Sequence, residues 1–228
     1  MEDNKEIRSF GEIRAQEDSR KVEGYAAVYD TESLDLGGFT EIIARGAFDD
    51  VIPQSDVFAR FNHCGDKVLA RSNHGKGSLK LSLDEKGLRY EFNSPNTELG
   101  NELLEFLRSG DISESSFAFT VASDSWTKNA DGSYLRTINK IDKLYDISPM
   151  WNAAYGSATS VSCRSFEEFK AKEAEEARKA QEEAERLAQE QREQEERQAE
   201  EEKAKAIKEA HDALVETYKD YMIKADNQ

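Results

Sequence analysis

The stretch SPNTELGNELLEFLRSGDISESSFAFTV, residues 94–121, changes from a helical pattern to a strand pattern within a few residues. Asn96 or Thr97 can cap a helix at its start, and Gly110 can end that helix. Four apolar side chains between these ends recur at helical spacing and predict one buried face: Leu99, Leu103, Phe106 and Leu107. After the helix, Phe117 and Phe119 alternate with small or polar residues, as residues on a strand do. A helix followed directly by a strand indicates a domain of the α+β class.

Short runs on both sides of this stretch are typical of strands separated by turns. Residues 21–30, 39–48 and 134–150 are each expected to contain a strand. Residues 77–93 predict a hairpin, because leucines and aromatic residues alternate on both sides of the turn sequence DEKG. A small barrel or a sandwich, rich in antiparallel pairs, is the natural way to bury so many short strands.

The sequence changes character near residue 165. All thirteen glycines and all three prolines lie at or before Gly156. Residues 166–228 consist mainly of Glu, Ala, Lys, Gln and Arg and contain no helix breaker, which predicts one long helix. We therefore expect two parts, a globular domain over residues 1–165 and a charged helical tail over residues 166–228.

The composition argues against several classes of function. Among 228 residues, 47 are acidic and 31 are basic, and the formal net charge of −16 repels nucleic acid and anionic membranes. No apolar run reaches the roughly 20 residues of a membrane-spanning helix, and the N-terminal sequence has no apolar signal region. We expect a protein that works inside a cell, with neither nucleic acid nor a membrane as partner. Cys64 and Cys163 lack the spacing of metal ligands, and we expect no metal and no cofactor.

Ser116 is the candidate nucleophile. It lies on the face of its predicted strand opposite Phe117 and Phe119, so a sheet covered on both faces would bury its hydroxyl. A serine hydroxyl becomes a nucleophile when a neighbouring base takes its proton and a third group orients that base. Ser113 and Ser115 are alternatives, and serines at the start of a strand commonly only form turns or caps.

His63 is the candidate base, because it follows the alternating segment VFARF at 57–61, where a strand is about to become a loop. A histidine at a strand end that bonds only to its neighbours explains the same position. Asp146 is the favoured third group, since it lies among apolar residues where an unpaired carboxylate would be costly. The other acidic candidates are Asp66, Asp111 and Asp142. Spacing alone does not establish that a serine, a histidine and an acid meet.

Six segments in chain order carry a resemblance: VEGYAAVYD, GGFTEIIARGAFDD, FNHCGDKVLARS, DEKGLRYEFNSPNT, GDISESSFAF and LYDISPMWNAAYGSA. Together they fall within residues 21–160. Taken in this order, they resemble the prohead protease family of tailed bacteriophages, the serine peptidases that trim capsid proteins during head maturation. Each segment alone is a loose match, and the six in order are specific.

The resemblance implies a fold similar to that of the herpesvirus assembly proteases, a small antiparallel β-barrel surrounded by helices, with a serine mechanism. The family's catalytic histidine falls on His63, its serine on Ser116, and its acidic residue on Asp146, where glutamate is more usual. The additional serine keeps Ser115 open as the nucleophile. His74 is the alternative third member, because the herpesvirus enzymes use a second histidine.

The resemblance further implies a serine endopeptidase that cleaves capsid and scaffold proteins, and itself, during prohead maturation. Its expected partners are the major capsid protein and scaffold segments as substrates, with self-association of the protease as a further expectation. Its expected location is the host cytoplasm, inside the assembling procapsid. The alternative is a non-catalytic assembly scaffold with a β-rich binding domain, in which His63 and Ser116 would lie apart.

The tail is expected to hold an exposed helix through charge pairs four residues apart, such as Glu175 with Lys179 and Glu182 with Arg186. Four residues with heptad spacing favour a weak coiled-coil seam: Ala177, Ala180, Ala184 and Leu187. An apolar stripe near the end is typical of a docking face: Ile207, Ala210, Leu214, Tyr218 and Tyr221. We expect this tail to tether the protease to the growing capsid.

Overall fold

The computed structural model describes residues 5–151 and 160–225, apart from the side chains at 10–11, 160–161 and 218–225. Internal contacts group the chain into two compact units, Met1–Phe169 and Lys170–Gln228. Within the described residues, no helix is both long enough and apolar enough to cross a membrane.

The first unit is built mainly from strands. Its strands are β1 (Glu6–Ala15), β2 (Lys21–Val28), β3 (Phe39–Ile43), β4 (Asp56–Arg60), β5 (Val68–Asn73), β6 (Lys76–Gly77), β7 (Lys80–Leu83), β8 (Gly87–Asn93), β9 (Glu114–Lys128) and β10 (Tyr134–Met150). The helices are α1 (Glu98–Ser109) and α2 (Ser160–Ala225), and short 3-10 turns cover Ile52–Gln54 and Phe61–His63.

The strands form a nearly closed barrel of mixed direction, in the order β6-β5-β4-β10-β9-β1-β2-β8-β7. The predicted α+β barrel followed by a long helix is therefore confirmed. Most pairs are antiparallel, but β10 pairs in parallel with both β3 and β4. Since β9 occupies one edge of β10, β3 and β4 share the other edge, at residues 134–138 and 146–147 of β10.

Helix α1 begins and ends where the sequence predicts. The Thr97 hydroxyl accepts a hydrogen bond from the Gly100 N–H at 3.2 Å, and Gly110 ends the helix with φ +82°. Its buried residues are Gly100, Leu103, Leu104 and Leu107. The three leucines pack in the main apolar core, and the predicted Leu99 and Phe106 pack against it while only partly buried, so α1 covers one side of that core.

The sequence pattern did not predict β1, which lies between β9 and β2 in the middle of the sheet. Along β1 the usual alternation is inverted, because Glu6 and Arg8 are buried while Ile7 is 39% exposed. A hydropathy pattern cannot identify such a strand, since its buried face carries charges.

The first unit continues into the start of α2. Phe166 and Phe169 stack on Trp126, with ring centroids 5.3 and 5.6 Å away, and Phe39 and Tyr134 join the same aromatic cluster. This unit therefore ends at Phe169, a few residues beyond the expected border at 165. Residues 170–217 of α2 are mainly exposed.

Candidate active site

The pairing of β9 with β10 puts a serine and an acid on one face of the sheet. Ser116 of β9 lies opposite Ser148 of β10, and Asp146 lies two residues before Ser148. Residues two apart on a strand point to the same face, so Ser116, Ser148 and Asp146 are neighbours. On its other edge Asp146 pairs with Phe58 of β4, and His63 follows three residues after β4 ends at Arg60.

The structure brings the three sequence-predicted residues into contact. The Nε2 atom of His63 lies 2.8 Å from the Ser116 Oγ, and His63 Nδ1 is hydrogen-bonded to the Asp146 Oδ1. When the Nδ1 proton points at Asp146, Nε2 is left as an acceptor for the Ser116 hydroxyl proton. A serine, an imidazole and a carboxylate in this order form the arrangement that activates a serine nucleophile.

His63 occupies an unusual backbone conformation. Asn62 and His63 both have positive φ angles, 57° and 54°, in the short turn that follows β4. A left-handed conformation at a residue other than glycine costs about 1–3 kcal/mol and persists where surrounding contacts hold it. One such contact is from the His63 N–H to the Ser148 Oγ, at 3.1 Å.

Ser148 joins the site through two further contacts. Its Oγ lies 3.2 Å from Asp146 Oδ1 and 3.1 Å from His63 Nδ1. We call His63, Ser116, Asp146 and Ser148 the active-site cluster. Ser116, Asp146 and Ser148 are fully buried, and the side chain of His63 is 13% exposed.

The second oxygen of Asp146 faces two cations. Its Oδ2 lies 3.3 Å from Lys5 Nζ and 3.5 Å from a terminal guanidinium nitrogen of Arg60. Burial acts to raise the pKa of Asp146, but its hydrogen bond to His63 and the charges of His63 and Lys5 lower that pKa below the ordinary value. The carboxylate is therefore ionised near neutral pH.

The proton of Ser116 has two acceptors within reach. Besides His63 Nε2, the backbone carbonyl oxygen of Arg8 lies 2.9 Å from Ser116 Oγ. A hydroxyl carries one proton, so Ser116 donates either to the imidazole or to the carbonyl of β1. Only the first arrangement prepares the serine for attack.

Ser115 points away from this site. Its Oγ lies 2.9 Å from the Tyr90 hydroxyl, and both residues are fully buried. Burial raises the pKa of Tyr90, so its hydroxyl stays protonated near neutral pH. Because neighbouring residues on a strand face opposite sides, Ser115 faces Tyr90 while Ser116 faces His63.

His74 lies at the far end of the β4–β5 pair. Its Nδ1 contacts Asn73 Oδ1 at 2.5 Å, on the exposed turn after β5. Asn73 is paired with Asp56, four residues before Arg60 at the end of β4 that leads to the site. Four residues of strand span about 13 Å, so His74 is not part of the active-site cluster. Asp111 is hydrogen-bonded to Ser109, and Asp142 is hydrogen-bonded to Thr120.

A second buried cluster was not identified from the sequence. Glu6, Arg8, Glu41 and Arg136, here called the ion cluster, are each at most 4% exposed. Both carboxylates bond to both guanidinium groups, at distances from 2.6 to 3.1 Å. Burial acts to lower the pKa of Arg136, but hydrogen bonds and charges of Glu6, Glu41 and Asp124 raise it, so the residue stays charged.

The described residues include no group of three or more His, Cys, Asp or Glu side chains placed to hold a metal ion. Cys64 and Cys163 are both free thiols.

Residues 10–172 match a protein family described as caudovirus prohead serine protease. Among solved structures, the bacteriophage T4 capsid assembly protease gp21 is similar, with a TM-score of 0.41 and 11% sequence identity. That match covers 65% of this chain and 98% of the phage T4 chain. No curated protein sequence matches the chain.

Proposed function

The chain belongs to the caudovirus prohead serine protease family, and we propose that its catalytic residues are Ser116, His63 and Asp146. The family assignment makes the protein a serine protease of capsid maturation. The observation that carries the residue assignment is the 2.8 Å contact between His63 Nε2 and Ser116 Oγ, with Asp146 bonded to the other ring nitrogen. The scaffold alternative expected these residues to lie apart.

In the proposed mechanism, His63 removes the proton of Ser116 as Oγ attacks the carbonyl carbon of a peptide bond. The attack forms a tetrahedral intermediate, and its collapse breaks the C–N bond while His63 Nε2–H protonates the departing amine. A water molecule then attacks the acyl-enzyme, His63 takes the water proton, and the regenerated Ser116 receives that proton as the acid product leaves.

Asp146 acts on His63 in both halves of this reaction. Its Oδ1 holds the Nδ1 proton, which leaves Nε2 free to accept from Ser116, and its negative charge stabilises the imidazolium. The low pKa of Asp146 keeps this charge in place near neutral pH.

The proposed substrates are the major capsid protein, scaffold segments and the chain itself. Ser116 is fully buried, so a peptide carbonyl reaches its Oγ only after the residues covering it move. Activity therefore depends on local opening of the site. The proposed place of action is the assembling procapsid inside the host cell.

The two proposed parts of the protein are the protease domain, expected over 1–165, and a tethering tail, expected over 166–228. The support for the tail's role is its exposed apolar side chains, with Ile207 and Leu214 each 71% exposed and Leu187 47% exposed. Tyr218 and Tyr221 of the expected stripe have side chains outside the described residues. Self-association through this helix remains part of the proposal.

The test is cleavage of the major capsid protein of the same phage when the two are co-expressed. Wild-type protein is expected to cut it, and Ser116→Ala and His63→Ala are expected to leave it intact, while Ser115→Ala still cuts. Mass spectrometry of the products gives the cleavage sites in the capsid protein and in the protease. Full activity of either Ser116→Ala or His63→Ala contradicts the proposed roles.

A further inference from the structure

Ser148 makes contacts that the three proposed catalytic residues do not explain. It is fully buried on β10, directly opposite Ser116 in the strand pairing. Its hydroxyl touches the backbone of His63, the ring of His63 and the carboxylate of Asp146. The two contacts with His63 leave β10 and tie Ser148 to the turn that follows β4.

The proton positions around Ser148 follow from the hydrogen-bonding inventory. The His63 N–H can only donate, so Ser148 Oγ accepts it at 3.1 Å. His63 Nδ1 carries the proton that bonds to Asp146, so the Ser148 hydroxyl proton goes to Asp146 Oδ1 at 3.2 Å. The three bonds close a ring through the backbone of His63, Ser148, Asp146 and the imidazole of His63.

We propose that Ser148 is a positioning residue of the protease, which locks both the backbone and the imidazole of His63 through this ring. The proposal rests on the proposed catalytic roles of His63 and Asp146. Without the ring, the left-handed residues Asn62 and His63 lose a bond that holds their conformation. Asp146 Oδ1 loses its second donor at the same time, so the carboxylate is freer to rotate away from Nδ1.

A loosened ring displaces the imidazole relative to Ser116 Oγ. A misplacement of about 1 Å in a catalytic group can lower the rate by roughly 100-fold. Ser148→Ala is therefore expected to lower the rate at which a fluorophosphonate labels Ser116 by about 10- to 100-fold. This readout needs no knowledge of the natural substrate.

Two signals report the ring in the resting protein, without any reaction. One is the far-downfield NMR resonance of the His63 Nδ1 proton held against Asp146, and the other is the hydrogen-exchange protection of the His63 N–H. Both are expected to weaken in Ser148→Ala. Ser148→Thr keeps a hydroxyl and is expected to restore both signals and the labelling rate.

Ser55→Ala is the matched control. Ser55 is also a buried serine whose Oγ accepts a backbone N–H, from Leu144 on the same strand β10, at 3.2 Å. This control is expected to lower the thermal midpoint without weakening the two His63 signals. If Ser148→Ala does not fold, Ser148→Cys takes its place, since a thiol is of similar size and bonds weakly.

Unchanged His63 signals in the alanine or cysteine variant overturn the proposal, as does an equal loss in Ser55→Ala. The wild-type protein separates this proposal from the catalytic assignment. If it shows both His63 signals but carries its label on a serine other than Ser116, the assignment of the nucleophile fails while the ring is still measured.

Discussion

The active-site cluster and the ion cluster are both buried, polar and anchored on the barrel sheet, yet they are built in opposite ways. In the ion cluster two carboxylates face two guanidinium groups, and every member lies in a strand. In the active-site cluster the Ser116 proton has two competing acceptors, and His63 has a positive φ angle. Asp124 also bonds Arg136, at 2.6 Å, so every charge in the ion cluster is paired, whereas the active-site cluster holds a shared proton and a strained backbone that prepare it for chemistry.

The two clusters also meet along β1. The Arg8 side chain belongs to the ion cluster, and its backbone carbonyl is the second acceptor for the Ser116 proton. Lys5, at the start of the same segment, contacts Asp146. The ion cluster thus fixes the strand against which the proposed nucleophile rests. Substitutions in the two clusters are therefore expected to separate stability from activity.

The largest expected effect is on activity alone. Ser116→Ala and His63→Ala are each expected to lower the cleavage rate by at least about 10⁵-fold, because the nucleophile or its base is missing. The free energy of unfolding, measured by urea titration, is expected to change by less than about 2 kcal/mol. A large loss of stability in Ser116→Ala would mean that this serine belongs with the structural cluster.

Asp146→Asn is expected to lower the cleavage rate by about 10³- to 10⁴-fold. The asparagine side chain can present an N–H to His63, which favours the wrong tautomer and removes the charge that stabilises the imidazolium. Steady-state kinetics should show the loss mainly in kcat. A loss confined to KM would contradict the proposed role of Asp146.

In the ion cluster the effect is expected on stability. Glu41→Gln removes one of the two carboxylates that bond Arg8 and one of the three that bond Arg136, and is expected to cost about 3 kcal/mol in the free energy of unfolding. Glu91→Gln is the matched control, since Glu91 is partly exposed and its pairs with Lys21 and Arg89 are worth about 1 kcal/mol or less. Equal costs in the two variants would remove the distinction between buried and exposed pairs.

The pH dependence of stability tests the charge of Asp146. Its folded pKa lies below the ordinary value of 3.8, so it contributes stability above pH 4 that is lost as the pH falls through the folded value. Urea titrations of wild-type and Asp146→Asn proteins at pH 6 and pH 3 should therefore show a smaller difference at pH 3. The other carboxylates titrate in both proteins, so their contributions cancel in the difference between the two free energies of unfolding. A larger difference at pH 3 would show that the folded pKa is raised.

The smallest expected effect is that of removing the tail. A chain ending at Phe169 keeps the aromatic contacts with Trp126 and is expected to retain peptidase activity and stability within about 0.5 kcal/mol. Its incorporation into procapsids is expected to fall. A chain ending at Arg164 lacks Phe166 and Phe169 and is expected to lose about 3 kcal/mol. Normal incorporation of the chain ending at Phe169 would contradict the tethering role.

The residues that sequence reasoning predicted best are those whose pattern is local. The cap at Thr97, the turn at Gly110 and the hairpin of β7 and β8 depend on neighbours in the chain, and the structure has them. The contact of His63 with Ser116 and Asp146 joins residues 53 and 83 positions apart, so ordered family segments were needed to nominate it.

The features that sequence reasoning missed share one cause. Glu6, Arg8, Glu41 and Arg136 become a buried cluster only when β1, β3 and β10 are assembled, so each looks like a surface residue in the sequence. The same inversion concealed β1. The sequence pattern assigns Ser148 no role, because its bonds to His63 depend on a turn that no local pattern predicts.

The most direct test of the central claim is peptide mapping after treatment of the full chain with a fluorophosphonate. Ser116 is buried, so the reagent reacts during local openings, and its adduct identifies the activated serine. The expected result is one adduct, on Ser116, in wild-type and Ser115→Ala proteins, and none in His63→Ala. An adduct on Ser115 would contradict the account. Full capsid cleavage by the Ser116→Ala variant would contradict it as well.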